Sequence, residues 1–143
     1  MAPRVGLREK NPRAHIPLLH ISDIPNDLQQ PFITGGYRFG LTAVESFQSL
    51  FSWHNETGNI WTHLIGAVYF FGMIPVVIYT MVPEADKWDV GFMVLYLLSA
   101  GVCHALSATY HTLKGVGDAD VYRTIYKIDI SGIVILIGGS CLL

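Results

Sequence analysis

Charged residues and cysteines are scarce in this sequence. Of its 143 residues, 14% are charged and 51% are hydrophobic, and the mean hydropathy is +0.40. A small soluble domain carries a larger share of charge on its surface, so these values favour a membrane protein. The net charge of −2 says little about partners, but we expect membrane lipids and no nucleic acid among them.

The two cysteines, Cys103 and Cys141, both fall within apolar stretches. They lack Cys-x-x-Cys spacing and an extracellular setting, so neither a disulfide nor a metal role is expected. They are interpreted as small apolar packing residues. The first 30 residues also lack the apolar core of a secretory signal, so we expect the first apolar run to act as its own insertion signal.

Three long apolar runs account for the composition, at about residues 60–81, 90–111 and 125–143. Each approaches the roughly 20 apolar residues that a helix needs to cross a bilayer. The third run is still apolar at its last residue, so we expect this chain to be the N-terminal part of a longer polytopic protein. The predicted fold class is therefore an all-α integral membrane protein, with residues 60–143 forming its transmembrane region.

Glycines recur in or beside these runs, where small residues let membrane helices pack closely. They are Gly66, Gly72, Gly91, Gly101, Gly132, Gly138 and Gly139. Pro75 should kink the first helix, which neighbouring helices can tolerate.

The residues before the first run divide into two parts. Residues 1–40 are predicted to form a cytosolic N-terminal tail, mobile or extended over residues 1–30, where several prolines interrupt any long helix. Residues 41–53 change to helical spacing, with Leu41, Val44 and Phe47 on one side and Thr42 and Glu45 opposite. This pattern predicts an amphipathic helix in the membrane interface, followed by a capping turn up to residue 59. The alternative is a surface helix of a soluble domain.

The distribution of cations predicts the orientation. Lysine and arginine are concentrated before the first run and between the second and third, whereas Lys87 is outnumbered by acidic residues between the first and second. The positive-inside rule then places the N-terminus and the second loop in the cytosol. A competing signal is the sequon Asn55-Glu56-Thr57, which would require the opposite face if it were glycosylated.

A serine, a histidine and an aspartate lie in or beside the second and third runs: Ser107, His111 and Asp129. Ionisable groups in membrane segments are costly and therefore indicate a functional site. Ser107 and His111 are four residues apart and share a helix face, and an adjoining helix would bring Asp129 to the same depth. Each has a simpler alternative. Ser107 could bond its own helix, a protonated His111 could favour the helix C-terminus, and Asp129 could pair with Lys127 or Arg123.

Two further histidines are weaker candidates. His104 precedes His111 by seven residues, or about 10 Å along a helix, which is too far to share a zinc ion. His63 could approach the site or simply bond a carbonyl. Glu56 and Asn59 are interpreted as capping groups or as contacts to the second loop.

Three segments together carry a family resemblance: HNETGNIWTH at 54–63, SATYH at 107–111 and KIDISGIVILIGGS at 127–140. From residue 32 onward the sequence resembles the progestin and adipoQ receptor family, which includes adiponectin receptors and the bacterial hemolysin III proteins. The resemblance implies a bundle of seven transmembrane helices with a cytosolic N-terminus, of which three are present here.

The resemblance also implies a zinc site near the cytosolic leaflet. His111 would be one ligand, and a His-x-x-x-His pair on the last helix would supply two more. Asp129 would contact a water on the zinc, and Ser107 would orient the site or support developing charge. This chain contains no His-x-x-x-His pair, so the site cannot be completed from these residues and we expect them to be inactive by themselves.

Two function classes stay open. The protein could be a zinc-dependent membrane hydrolase of lipid amides of the ceramide type, doubling as a receptor in lipid metabolism and signalling. Alternatively, it could be a non-enzymatic receptor or regulator for a lipid or protein ligand, in which zinc only clamps helices together. A multi-span scaffold without metal is a third reading.

Overall fold

The computed structural model describes residues 16–142, except for the side chain of Asp27. Its main elements are three long helices, α2 at Thr57–Met81, α3 at Lys87–Leu113 and α4 at Ala119–Ser140. Helix α3 lies between the other two and packs against both. Because the connecting loops are short, consecutive helices run in opposite directions, so the end of α3 returns to the start of α2.

Helices α2 and α3 are long and apolar enough to cross a membrane, judged by length and composition. Many of their apolar side chains are exposed, among them Ile65, Val68 and Leu95, as expected of surfaces that face lipid. Both begin three residues earlier than the apolar runs predicted. Pro75 lies inside α2 as anticipated.

Helix α4 begins at Ala119 rather than near residue 125. Asp118 caps it, because its carboxylate accepts hydrogen bonds from the backbone N–H groups of Asp120 at 2.8 Å and Val121 at 3.1 Å. The added turns are charged, so α4 is less apolar than α2 and α3. The helix is therefore observed, whereas its role as a third span stays a prediction.

Close packing between the long helices occurs at four of the seven glycines. A Cβ at Gly101 would lie 2.6 Å from the Phe71 ring, and one at Gly132 would lie 3.1 Å from Cα of Cys103. Gly66 is tighter still against the His104 ring, and Gly139 against the Ser99 side chain. In contrast, Gly72, Gly91 and Gly138 have no such neighbour within 4 Å among the described residues.

The leading segment, residues 16–56, folds against the ends of these helices. Strand β1 at Leu19–His20 pairs antiparallel with β2 at Gly35–Tyr37. One-turn 3-10 helices at Ile21–Asp23 and Asn26–Leu28 lie between them. The sequence predicted a mobile or extended tail through residue 30. Residues 1–15 of it lie outside the described residues, and residues 16–30 carry these elements.

The predicted interfacial helix is shorter than expected. Helix α1 spans Ala43–Gln48 and continues as a 3-10 turn at Ser49–Phe51. A capping box starts it: the Thr42 hydroxyl accepts from the backbone N–H of Glu45, and the Glu45 carboxylate accepts from that of Thr42. The small polar residue Ser46 is buried in this helix, as is Ser49 just after it.

Candidate functional site at the start of α2 and the end of α3

A buried carboxylate lies where the start of α2 meets the end of α3. Glu56 is only 2% exposed, and it precedes α2 without capping it through its side chain. Its oxygens accept five hydrogen bonds. Those to Oε1 come from Lys114 Nζ at 2.7 Å, Gln30 Nε2 at 2.7 Å and Asn55 Nδ2 at 3.2 Å. Those to Oε2 come from His111 Nδ1 at 2.7 Å and Asn59 Nδ2 at 2.9 Å.

These donors decide the charge of Glu56. Burial by itself would raise the pKa of a carboxyl group. Hydrogen bonds from His111, Lys114 and Asn59 outweigh burial and lower the pKa of Glu56 to about 2. Glu56 is therefore ionised at neutral pH. The contact with Lys114 confirms the expected link to the second loop, whereas the expected side-chain cap is not observed.

Arg38 holds the end of α3 from the leading segment. It is 5% exposed, and its guanidinium donates to the carbonyl oxygens of His111 at 2.9 Å and Thr112 at 3.3 Å, as well as to the Ser49 hydroxyl. A cation at a helix C-terminus satisfies free carbonyls and favours the helix dipole. Burial lowers the pKa of Arg38 to about 10, opposed by the charge of Glu56. Arg38 thus stays protonated, and the last turn of α3 is fixed.

His111 has one ring nitrogen engaged and one unengaged. Nδ1 donates to Glu56, since an ionised carboxylate can only accept. Among residues 16–142, Nε2 has no hydrogen-bond partner. The ring of His63 stacks on that of His111, with centroids 5.6 Å apart. The unengaged nitrogen is the atom with which a neutral imidazole binds a metal.

Ser107 lies one turn before His111 and is 7% exposed. Other hydroxyls on α3 bond the carbonyl four residues earlier, as Ser99 does at 2.8 Å and Thr112 at 2.7 Å. Within the described part of the chain, the Ser107 hydroxyl makes no such bond. The simpler reading, that Ser107 satisfies its own helix, is therefore not what the structure gives.

Asp129 lies on α4 and is partly exposed. Its carboxyl is close enough to His63 and Tyr110 to interact electrostatically with them. Arg123 pairs instead with Asp120, at 3.4 Å on the surface. Neither Arg123 nor Lys127 pairs with Asp129 in the described residues, which give it no hydrogen bond or ion pair.

The side chains of the described residues could supply one ligand to a zinc ion but not a complete site. Across residues 16–142, no group of three or more His, Cys, Asp or Glu side chains could hold a metal ion. His104 uses Nδ1 to bond the carbonyl of Ala100 at 2.9 Å, so its ring is oriented by its own helix. His111 is therefore the residue that the described part of the chain could offer to a metal, and residues 16–142 do not complete a site.

The sequence predicts Ser107, His111 and Asp129 as site residues but does not predict the partner of His111. The sequence predicts Glu56 only as a cap or a loop contact, because 55 positions along the chain separate it from His111. No signal in the sequence named this partner, because a glutamate directly before an apolar span can equally stay in water at the start of the helix.

Three packed long helices, two of them long and apolar enough to cross a membrane, with a buried polar cluster where α2 begins and α3 ends, are typical of a helical membrane protein. Residues 51–143 match the model of the family described as Haemolysin-III related. The chain belongs to this family, which confirms the resemblance to the progestin and adipoQ receptors.

Curated relatives agree with this assignment. The chain is 34% identical over 123 residues to the Adiponectin receptor protein of Drosophila melanogaster, covering 85% of the chain and 28% of that protein. It is 33% identical over 139 residues to Progestin and adipoQ receptor-like protein 1 of Caenorhabditis elegans, covering 96% and 32%. It is 47% identical over 92 residues to Heptahelical transmembrane protein 3 of Arabidopsis thaliana, covering 64% and 25%. The chain thus spans about a quarter to a third of the length of these relatives.

Proposed function

We propose that the protein carrying this chain is an adiponectin receptor-like, seven-helix membrane protein with a zinc site near the cytosolic leaflet. In this proposal, Nε2 of His111 is one zinc ligand. The observation that carries it is the unengaged Nε2, one turn after Ser107, a residue that is 7% exposed and whose hydroxyl also has no protein partner within residues 16–142. Two neighbouring polar groups without a protein partner, at the end of an otherwise apolar helix, support a ligand site here.

The chemistry that fits best is hydrolysis of a lipid amide of the ceramide type. Zinc, when bound, polarises a carbonyl and acidifies water. Asp129 accepts a proton, and its lack of an ion-pair partner among the described residues leaves its oxygens available for this role. The Ser107 hydroxyl donates to the developing oxyanion of the amide.

A non-enzymatic receptor is the second candidate, and one observation favours it. The start of α2 and the end of α3 are already tied by Glu56, Lys114 and Arg38. A zinc ion at His111 would then extend an existing clamp between helices. This candidate predicts zinc binding without lipid turnover.

Zinc content and turnover separate these candidates. In protein expressed from its complete gene, we expect His111→Ala to lose bound zinc. The matched control His104→Ala, on the same helix, should retain it because the His104 ring already bonds its own backbone. Asp129→Asn should retain most of its zinc and lose hydrolysis of a ceramide by about 100-fold or more.

Three results would contradict parts of this proposal. Equal zinc in His111→Ala and in the unchanged protein would remove His111 as a ligand. Zinc binding without turnover in the unchanged protein would favour the receptor. A loss of stability in Asp129→Asn without a selective loss of turnover would remove the catalytic role of Asp129.

A further inference from the structure

The contact between Glu56 and His111 joins two helices at the proposed ligand. Glu56 lies at the start of α2 and His111 in the last turn of α3, and Oε2 and Nδ1 are 2.7 Å apart. We propose that Glu56 is a positioning residue, whose carboxylate fixes the orientation and tautomer of the His111 ring so that Nε2 can bind zinc. This inference rests on the proposed function, because it requires His111 to be a zinc ligand.

The direction of the hydrogen bond determines the tautomer. Glu56 is paired with Lys114 through its other oxygen, so it can only accept from His111. Nδ1 therefore carries the proton and Nε2 keeps the lone pair that a metal needs. Without Glu56 the ring could protonate either nitrogen and rotate about its side-chain bonds.

Glu56 can position another group because it is itself held on every side. Oε1 receives Lys114, Gln30 and Asn55, and Oε2 also receives Asn59. With the group 2% exposed, bulk water has little access to it. These bonds consequently hold the carboxylate toward Nδ1.

The ring and the backbone of His111 are restrained as well. Arg38 donates to the His111 carbonyl at 2.9 Å, and the His63 ring stacks at 5.6 Å with an interplanar angle of 22°. Carboxylates that bond the far nitrogen of a metal-binding histidine typically raise metal affinity about 10–100-fold. Such an effect is expected here only if the ring is held as observed.

A purely structural ion pair between Glu56 and Lys114 is the alternative. The two roles can be separated because the partners use different oxygens, Oε1 for Lys114 and Oε2 for His111. Lys114→Met removes the first contact and leaves the second. Glu56→Leu in the same background removes both charges of the pair together, so that neither is left unpaired.

The experiment measures zinc dissociation constants by chelator competition on detergent-purified protein from the complete gene. We expect Glu56→Leu with Lys114→Met to bind zinc about 10–100-fold more weakly than Lys114→Met alone. Glu56→Gln with Lys114→Met should recover part of the affinity, since its amide oxygen can still accept from Nδ1. Thermal unfolding of the zinc-free variants shows whether all three are folded.

Equal zinc affinity in Lys114→Met and in its Glu56→Leu double variant would overturn the positioning role. If the double variant does not fold, Glu56→Asp replaces it: the shorter side chain should weaken zinc binding, and unchanged affinity would reject the inference. His111→Ala distinguishes the two levels. If it loses zinc while the Glu56 variants do not, only this inference fails; if it keeps zinc, the proposed function fails first.

Discussion

His54 shows how single residues are tuned in the leading segment. Its Nε2–H donates to the carbonyl of Ser49 at 3.1 Å, and its Nδ1 accepts the backbone N–H of Glu56 at 3.1 Å. A second proton would break the latter bond and place a cation beside Arg38. Burial and the charge of Arg38 therefore lower the pKa of His54 to about 4, although the Ser49 bond and Glu56 oppose them.

This histidine predicts a pH-dependent stability. Unfolded His54 has the ordinary pKa of 6.5, so between about pH 6.5 and 4 the unfolded chain binds more protons than the folded one. The contribution of neutral His54 is complete above pH 6.5 and falls as the pH drops, by up to about 1.4 kcal/mol per pH unit. Thermal unfolding of the protein in detergent at pH 5, 6 and 7 should show this decline.

The matched variant is His54→Gln, whose amide can donate and accept but does not titrate in this range. Its unfolding temperature should decline less between pH 7 and 5 than that of the unchanged protein. Comparison of the two removes the contribution of other histidines. Parallel declines would contradict the role of His54.

At the scale of elements, α1 and the 3-10 turn that follows it bury small polar residues and expose large apolar ones. Ser46 and Ser49 are buried, while Val44, Phe47 and Phe51 are 52–85% exposed. A surface helix of a soluble protein would do the reverse. We therefore propose, as the sequence predicted, that this segment lies in the membrane interface, with its apolar face against lipid.

The packing of α3 against α4 predicts a contrast between two adjacent glycines. A Cβ at Gly139 would lie tight against Ser99 and 3.6 Å from the Leu95 carbonyl oxygen, whereas one at Gly138 would meet nothing within 4 Å among the described residues. Gly139→Leu should reduce stability by about 1–3 kcal/mol, because the helix would have to move away. Gly138→Leu should have a smaller effect.

Thermal unfolding of both leucine variants in detergent checks this prediction. Because the substitutions differ by one position on the same helix, their helix propensity and hydrophobicity are matched. Equal destabilisation of the two variants would show that α3 and α4 do not pack through Gly139.

At the scale of the whole molecule, the leading segment ties the helix ends together on one side. Arg38 bonds the end of α3, Leu41 donates its N–H to the Gly115 carbonyl at 3.0 Å, and Glu56 binds His111 and Lys114. The buried polar groups of this segment thus gather where α2 begins and α3 ends. We propose that this end faces the cytosol, because cations are concentrated there.

This orientation predicts that an N-terminal tag is inaccessible to proteases applied outside intact cells. Asn55 should also remain unglycosylated. Its side chain is half-buried and donates to Glu56 at 3.2 Å and Gln30 at 3.4 Å, which leaves little room for a glycan. A glycosidase-sensitive mass shift that disappears in Asn55→Gln would reverse the orientation.

The sequence by itself determined the features that depend on neighbours along the chain. Apolar runs predicted α2 and α3 within three residues at each end, and Ser107 and His111 share a face because they are four residues apart. The three motifs identified the family, which the match over residues 51–143 confirms. Among the long helices, the start of α4 was missed, because the cap at Asp118 precedes the apolar run by several residues.

Only the tertiary structure decided which distant groups meet. Glu56 and His111 are 55 residues apart, and Arg38 lies 73 residues before the carbonyl it bonds on His111. Likewise, composition cannot tell Gly138 from Gly139, since only the rotation of α4 against α3 places one of them at the contact. Periodicity specifies which residues share a face of one helix. It does not specify which face meets its neighbour, and that choice depends on side-chain packing across all the elements together.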